Sequence, residues 1–481
     1  MPRRTTPQYD AKVSVDPRPH NPGRRTGSAR SPNAPIRKKV ALPVACFLLS
    51  LFIPWIITIG PLSLSVYRIV LIGVFVPVFI GWLYRRSGRI IISDFLIIAF
   101  CILCTVSFIV VQGISAAIEP SGIIFIETVG SYFLARRYIR DEQDFRNMIS
   151  IVVKIIIFLL PFALYEAFTG NKPILAAFNS MAPIFTVGAS EIRLGLRRVQ
   201  GPFEHPILFG VFCGSVLAVS HLVLSSSRRT LSHWLSTGAV GLTALASMSS
   251  APIAGLAVQI SLMLWNHLLR SFASRWKLLW ALIFAAYLVV EFGSNQTPIQ
   301  FYISHFTFDQ QTGWYRIWIW EYGSASVLNH PLFGTGLTGW ARPKFMVSDT
   351  IDNFWLVIAI RHGIPAFVLL LGSCLVMMLA VASRRGISDQ LQNCRVAYLI
   401  CLATFVIVGT TVHLWSATYV WFIFILGSGA WLLDAEAGGE ETTALARHQN
   451  VVSARATRRT TRPALVTPPQ QGPRPASGDC S

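Results

Sequence analysis

Three arginines, Arg193, Arg197 and Arg198, stand in the stretch RLGLRRVQGPFEHP, just ahead of a long apolar run. Gly201 and Pro202 behind them break any helix, so the backbone bends close to the guanidinium groups. A guanidinium offers a planar fork of N–H donors that grips phosphate oxygens two at a time. Arginines at a bent helix entrance therefore suit capture of a phosphate group, or else snorkel to lipid phosphates.

A second set lies in TGWYRIWIWEYGSASVLNHPLFGTGLTGW, residues 312–340. A helix is expected from Trp314 to Leu328, with Arg316 and Trp320 one turn apart on one face. Trp314, Trp318 and Trp320 could stack on the flat faces of sugar rings; otherwise the helix lies in the lipid interface, where Trp and Tyr collect. His330, ahead of Pro331, is a candidate base or a residue that shapes the turn. The GTGLTG that follows has no Lys-Ser/Thr behind it and so is not a nucleotide phosphate loop.

The third set is DTIDNFWLVIAIRHGIPAFVLL, residues 349–370. Asp352 heads the candidates for a general base, with His330, His205 and Glu204 after it; it also stands where a helix wants an N-cap. Arg361 and His362 fall in an apolar stretch, where an ionised side chain costs about 2.5–3.5 kcal/mol on insertion scales. Either a short helix ends near Arg361, or these residues line a polar cavity.

The elements that must hold these residues are membrane helices. The chain is 53% hydrophobic and 13% charged, with mean hydropathy +0.53, whereas soluble proteins carry about 25% charged residues. The apolar runs are continuous and many reach the roughly 18 residues of a span, which excludes a β-barrel and predicts an all-α polytopic membrane protein. About twelve spans are expected: 40–57, 62–83, 90–111, 117–135, 148–168, 204–224, 231–248, 251–267, 276–292, 356–382, 396–412 and 417–433. The fourth is the weakest, because Glu119 and Glu127 interrupt it.

Basic residues crowd into alternate loops, such as RRSGR at 85–89 and SRRG at 383–386, which places these loops and both termini in the cytoplasm. Two long segments, about 169–203 and 293–355, then lie outside and carry all three chemical sets. The tails, 1–39 and 434–481, hold ten and six of the 41 Lys and Arg residues and should be disordered, hugging anionic lipid rather than nucleic acid. Residues 1–39 contain no apolar core followed by a cleavage site, so no removable signal peptide is expected.

Taken together, RVQGPFEHP before span six, the R…W…NHPLFGTG of the late outside loop and DNFWLVIAIRHGIPAF entering span ten resemble the O-antigen ligase/polymerase superfamily over roughly residues 40–433. The resemblance implies a fold like the all-helical membrane glycosyltransferases and a large outside loop between spans nine and ten. It implies transfer of a glycan from a polyprenyl-diphosphate-linked oligosaccharide to a glycan or lipid acceptor, outside the cytoplasmic (inner) membrane, with no metal and no cofactor. By motif position Arg198 and Arg316 hold the diphosphate, with Arg197 and Arg193 beside them, and Asp352 acts as base. Lipid A-core ligases commonly carry His-Asn where this chain has Asp352-Asn353, which points to a polysaccharide polymerase of the exopolysaccharide type.

The residues support the same chemistry independently. A glycosyl diphosphate is already activated, so the leaving group needs charge neutralisation, and this chain offers outside arginines rather than an Asp-x-Asp pair for a metal. Attack opposite the diphosphate inverts the anomeric carbon. Two other readings stay open: a transporter or flippase for lipid-linked glycan or a small anion, and a partner of other polysaccharide-assembly proteins in an envelope complex. A transporter should carry polar groups at mid-depth in several spans, whereas here they gather in loops.

Overall fold

The computed structural model describes residues 39–60, 62–188, 191–225, 230–293 and 310–435, with 295, 297, 301 and 472. The tails expected over 1–39 and 434–481 lie outside the described residues but for Lys39, Asp434, Ala435 and Gly472, and Asp309 and the SSRR stretch at 226–229 lie outside them too. The protein is a mostly helical membrane protein. Among the described residues, nine helices are long and apolar enough to cross a membrane.

In chain order these residues form α1 (Leu42–Ser50), the hairpin β1 (Ile56–Ile59) and β2 (Leu62–Ser65), α2 (Val66–Leu83), α3 (Ile92–Gln112), α4 (Ile114–Phe125), a π turn (Ile126–Gly130) and α5 (Ser131–Tyr138). Next come α6 (Glu142–Thr169), α7 (Pro173–Asn179), the hairpin β3 (Ile192–Arg193) and β4 (Leu196–Arg197), α8 (Pro206–Ser215) and α9 (Leu217–Val223). The remainder is α10 (Leu231–Leu245), α11 (Ser250–Leu268), α12 (Arg275–Gly293), α13 (Gln310–Asn329), α14 (Phe354–Ser383), α15 (Asp389–Val408), α16 (Ser416–Ser428) and α17 (Trp431–Asp434).

The first expected span, 40–57, is instead a short helix followed by a hairpin. Pro54 has no N–H to continue a helix, and the β-branched run Ile56, Ile57, Thr58, Ile59 favours extended backbone. Ile56 N–H donates to Pro183 O at 2.9 Å, and Trp55 Nε1 to Phe178 O at 3.0 Å, so the hairpin braces the first long loop.

The fourth expected span forms as one helical column, α4–π turn–α5. Its interrupting carboxylate is satisfied: Glu127, on the π turn and buried, accepts from Arg68 Nε at 2.8 Å and Tyr67 OH at 2.9 Å. Arg68 is therefore an ion-pair partner rather than a snorkelling side chain. A second buried pair, Arg136 with Asp94 at 3.0 Å, ties α5 to α3, and Tyr132 and Trp82 occupy the remaining carboxylate positions. Both pairs carry further hydrogen bonds, which help an apolar interior to tolerate charge.

One apolar core runs through most helices, with Phe47, Phe100, Phe145, Phe212, Tyr398 and Trp421 buried in it. α3 packs along α14, α5 against α16, and α8 against α10 and α11. α13 is held separately on α14 by Ile319, Val327, Leu356 and Ile360. Gly323 allows this approach, since a Cβ there would meet Leu356 Cδ2 at 2.7 Å.

Candidate active site

β3 and β4 form a two-residue-per-strand hairpin turned by Leu194 and Gly195, both at positive φ. Behind it the QGP turn is clamped: the Glu166 carboxylate, at the end of α6, accepts from Gln200 N–H at 3.0 Å and Gly201 N–H at 3.2 Å. Lys172 Nζ adds a bond to Gln200 Oε1 at 2.7 Å. The consequence is a fixed Arg198. Its Nη1 donates to Glu191 Oε2 at 2.7 Å and its Nη2 to Ser249 Oγ at 2.9 Å, while its Nε, buried, has no acceptor among the described residues.

Arg198 lines a cavity of about 720 Å³. Arg193, Arg316, Arg361, Asp349 and Asp352 line it too, along with His205, His413, Trp415 and Ser249. Arg198 and Arg316 are 4% and 6% exposed, so both charges are largely out of bulk water. The lining holds four arginines and two aspartates, and Glu191, paired with Arg198 and Arg193, brings the formal surplus to one positive charge. The hydrogen bond from Arg198 holds the Glu191 carboxyl below the usual carboxylate range. Burial, with Arg198 adding to it, pushes the His205 imidazole down to about 4, and burial pushes His413 down to about 3, so both stay neutral near pH 7.

Asp352 stands two residues ahead of the first residue of α14. The helix is capped by Asn353, whose side chain accepts from Leu356 N–H at 3.0 Å, so the capping alternative passes to the neighbour. Burial raises the Asp352 carboxyl above its ordinary value, and the charges of Arg316 and then Arg198 pull it back down. A half-buried carboxylate beside guanidinium groups has the make-up of a general base.

Arg361 reaches the cavity because α14 is broken. Gly363, at φ 86° and ψ 170°, interrupts the helix two residues later. The NHPLFGTG turn fills the break: Thr335 N–H donates to Ile360 O at 2.7 Å, Gly336 N–H to Arg361 O at 2.9 Å, and Ile364 N–H to Pro331 O at 2.8 Å. Both alternatives raised for this stretch therefore hold for Arg361, which ends a short helical segment and lines a polar cavity. His362 does not line it; it is buried edge-on against Phe108.

Other candidates lie elsewhere. Arg197 faces away from Arg198 and lines a separate pocket of about 390 Å³ with Lys172 and Asn171. His330 is exposed at the end of α13, and its backbone carbonyl accepts from Gly334 N–H at 3.0 Å. Trp314 is 57% exposed; Trp318 rests edge-on against Phe345; Trp320 lines an apolar groove with Trp355 and Phe367 rather than sharing the cavity with Arg316. Glu204 is occupied by Trp415 Nε1 at 2.7 Å and Ser416 Oγ at 2.8 Å. His205, on the cavity wall, accepts from Ile207 N–H at 3.2 Å through Nδ1 and so caps α8.

Sequence reasoning missed Glu191, Ser249, Asp349, His413 and Trp415 as members of this site. Each lies in a connection between helices, and only folding brings these connections together. Trp415 supplies the cavity's aromatic face, with His413 at 5.4 Å and His205 at 6.0 Å between ring centres.

Residues 235–371 match the family model for O-antigen ligase, a stretch that includes Arg316, Asp352 and Arg361. The chain has no match among curated proteins.

Proposed function

We propose that this protein, a member of the O-antigen ligase/polymerase superfamily, transfers a glycan from a polyprenyl-diphosphate donor to an acceptor hydroxyl, on the outer side of the cytoplasmic (inner) membrane. The supporting observation is the convergence of Arg198, Arg316 and Asp352, from three chain-distant segments, on one cavity where arginines outnumber carboxylates. A diphosphate diester carries two negative charges and is attracted to that surplus.

In the reaction we infer, the acceptor hydroxyl attacks the anomeric carbon from the side opposite the diphosphate. A new carbon–oxygen bond forms as the bond to the phosphate oxygen breaks, and the configuration inverts. Asp352 takes the hydroxyl proton. Arg198 and Arg316 receive the charge that develops on the departing lipid diphosphate, the place where fixed donors contribute most, about 3–4 kcal/mol for one strong donor. The free Nε of Arg198 is an N–H available for a phosphate oxygen. Trp415 offers the ring face for a sugar, in place of the expected Trp314, Trp318 and Trp320. The arginines carry the charge in this scheme, so it calls for no metal.

Asp352-Asn353, where lipid-acceptor ligases carry His-Asn, favours a glycan acceptor and hence polymerisation of a surface or exported polysaccharide. The test is the lipid-linked oligosaccharide profile after deletion. Loss of a polymerase leaves single repeat units on the lipid. Full-length polymer accumulating on the lipid would instead assign a ligase, and an unchanged profile would refute both.

A further inference from the structure

We infer that Arg361 is a third diphosphate ligand and that it holds the phosphate bonded to the lipid, the one farther from the sugar. The inference rests on the glycan-transfer reading and extends it.

Four guanidinium groups line the cavity, and three have partners within the protein. Arg198 bonds Glu191 and Ser249, Arg193 pairs with Glu191 at 3.4 Å, and Arg316 is also engaged. Among the described residues, the Arg361 side chain makes no hydrogen bond or ion pair; only its backbone carbonyl is used, by Gly336 N–H and Ser107 Oγ. Arg361 is exposed, and the space it faces is that of the cavity. It sits within a candidate span, Phe354–Ser383, on the wall of a cavity whose other guanidinium groups have partners in the protein.

The protein also builds a device to place it. A helix that ran on through Gly363 would keep the carbonyls of Ile360 and Arg361 within its own ladder. The break frees them, and the turn at Pro331–Gly336 takes them up. Val357 and Arg361, one turn apart, both line the cavity, so this short segment presents one face to it.

The direction follows from helix geometry. Asp352 precedes α14, and Arg361 lies seven positions beyond its first residue, roughly 10 Å along the helix at 1.5 Å per residue. Helical side chains lean toward the N-terminus, so the Arg361 guanidinium reaches back along the cavity toward Asp352. A base must adjoin the acceptor hydroxyl and the anomeric carbon, which puts the sugar at the Asp352 end. The group that meets Arg361 is then the far end of the diphosphate.

The probes are inorganic pyrophosphate and orthophosphate, bound to the purified full-length protein in detergent. Arg361→Gln should weaken pyrophosphate about 10–100-fold, the worth of a charge-assisted hydrogen bond, while changing orthophosphate less than about threefold. Arg198→Ala should weaken both. Arg361→Lys keeps the charge and should lose about 3–10-fold for pyrophosphate, which provides the readout should the Gln variant fail to fold. Pyrophosphate binding unchanged in Arg361→Gln and Arg361→Lys, but lost in Arg198→Ala, would overturn the role of Arg361 and leave the wider reading standing. No binding of pyrophosphate by the wild-type protein would overturn both.

Discussion

Gly334 and Gly363 each press against the backbone just ahead of the other. A Cβ on Gly363 would stand 2.2 Å from Leu332 O, and one on Gly334 would stand 2.4 Å from Ile360 O. Both residues also have positive φ. Gly363→Ala should therefore cost more than the backbone strain alone, about 1–3 kcal/mol, because the turn must move out of the helix break. Gly339, at φ 91° with open space around its Cβ position, is the control, and Gly339→Ala should show the strain only. Thermal inactivation midpoints of the purified variants check the difference; equal midpoints would count against the capped break.

Arg198→Ala and Arg316→Ala should each lower turnover about 10²–10³-fold at normal protein levels. Lysine at either position should restore activity only in part, since a point charge lacks the two-pronged donor. Arg197→Ala should have far less effect, because Arg197 lines a different pocket. Single-turnover transfer from a lipid-linked donor measures all three. Full activity in both of the first two variants would remove the site.

Asp352→Asn should abolish transfer while leaving pyrophosphate binding in place. Asn353→Ala should do the opposite, costing about 1 kcal/mol of stability through loss of the α14 cap, with the chemistry retained. Asp352→His is expected to keep part of the activity. A wild-type glycan profile from Asp352→Asn, in a strain lacking the native copy, would end the base assignment.

The acid limb of the pH–rate profile should lie above the ordinary aspartate range, because burial raises the Asp352 carboxyl and a base must be deprotonated to act. Arg316 lowers that carboxyl, so Arg316→Gln should move the limb to still higher pH. A limb unmoved or displaced to lower pH would separate Arg316 from Asp352.

Orientation can be read with an impermeant thiol reagent on intact cells. Val347→Cys, in the loop expected outside, should label, and Arg385→Cys, in the basic SRRG loop, should be protected. The reverse pattern would invert the topology.

How much of this was legible in the sequence depended on the range of the interaction. Long apolar runs and loop charge foretold a bundle of helices, because each span is specified by its own composition. Arg198, Arg316 and Asp352 stood out by their positions in local motifs of the two long outside segments. The pairing of Arg68 with Glu127 was hidden, since two spans must pack before either charge is explained. Trp415 and Ser249 were hidden for the same reason: nothing in their neighbourhoods distinguishes them until α8, α10 and α16 meet. The dense aromatics of α13 misdirected attention, because a tryptophan-rich helix reads alike whether its rings meet sugar or lipid.

The opposite placement of Arg197 and Arg198 bears on how this loop can change over evolutionary time. Neighbours in extended chain point to opposite sides, so the hairpin works as a two-position selector. Inserting or deleting one residue between Arg198 and the clamped Gln200 would present Arg197 to the cavity and turn Arg198 away; a change of two would restore the original order. The loop should thus tolerate length changes in even steps, and a single-residue shift would still leave an arginine facing the substrate, a redundancy that a lone arginine could not provide.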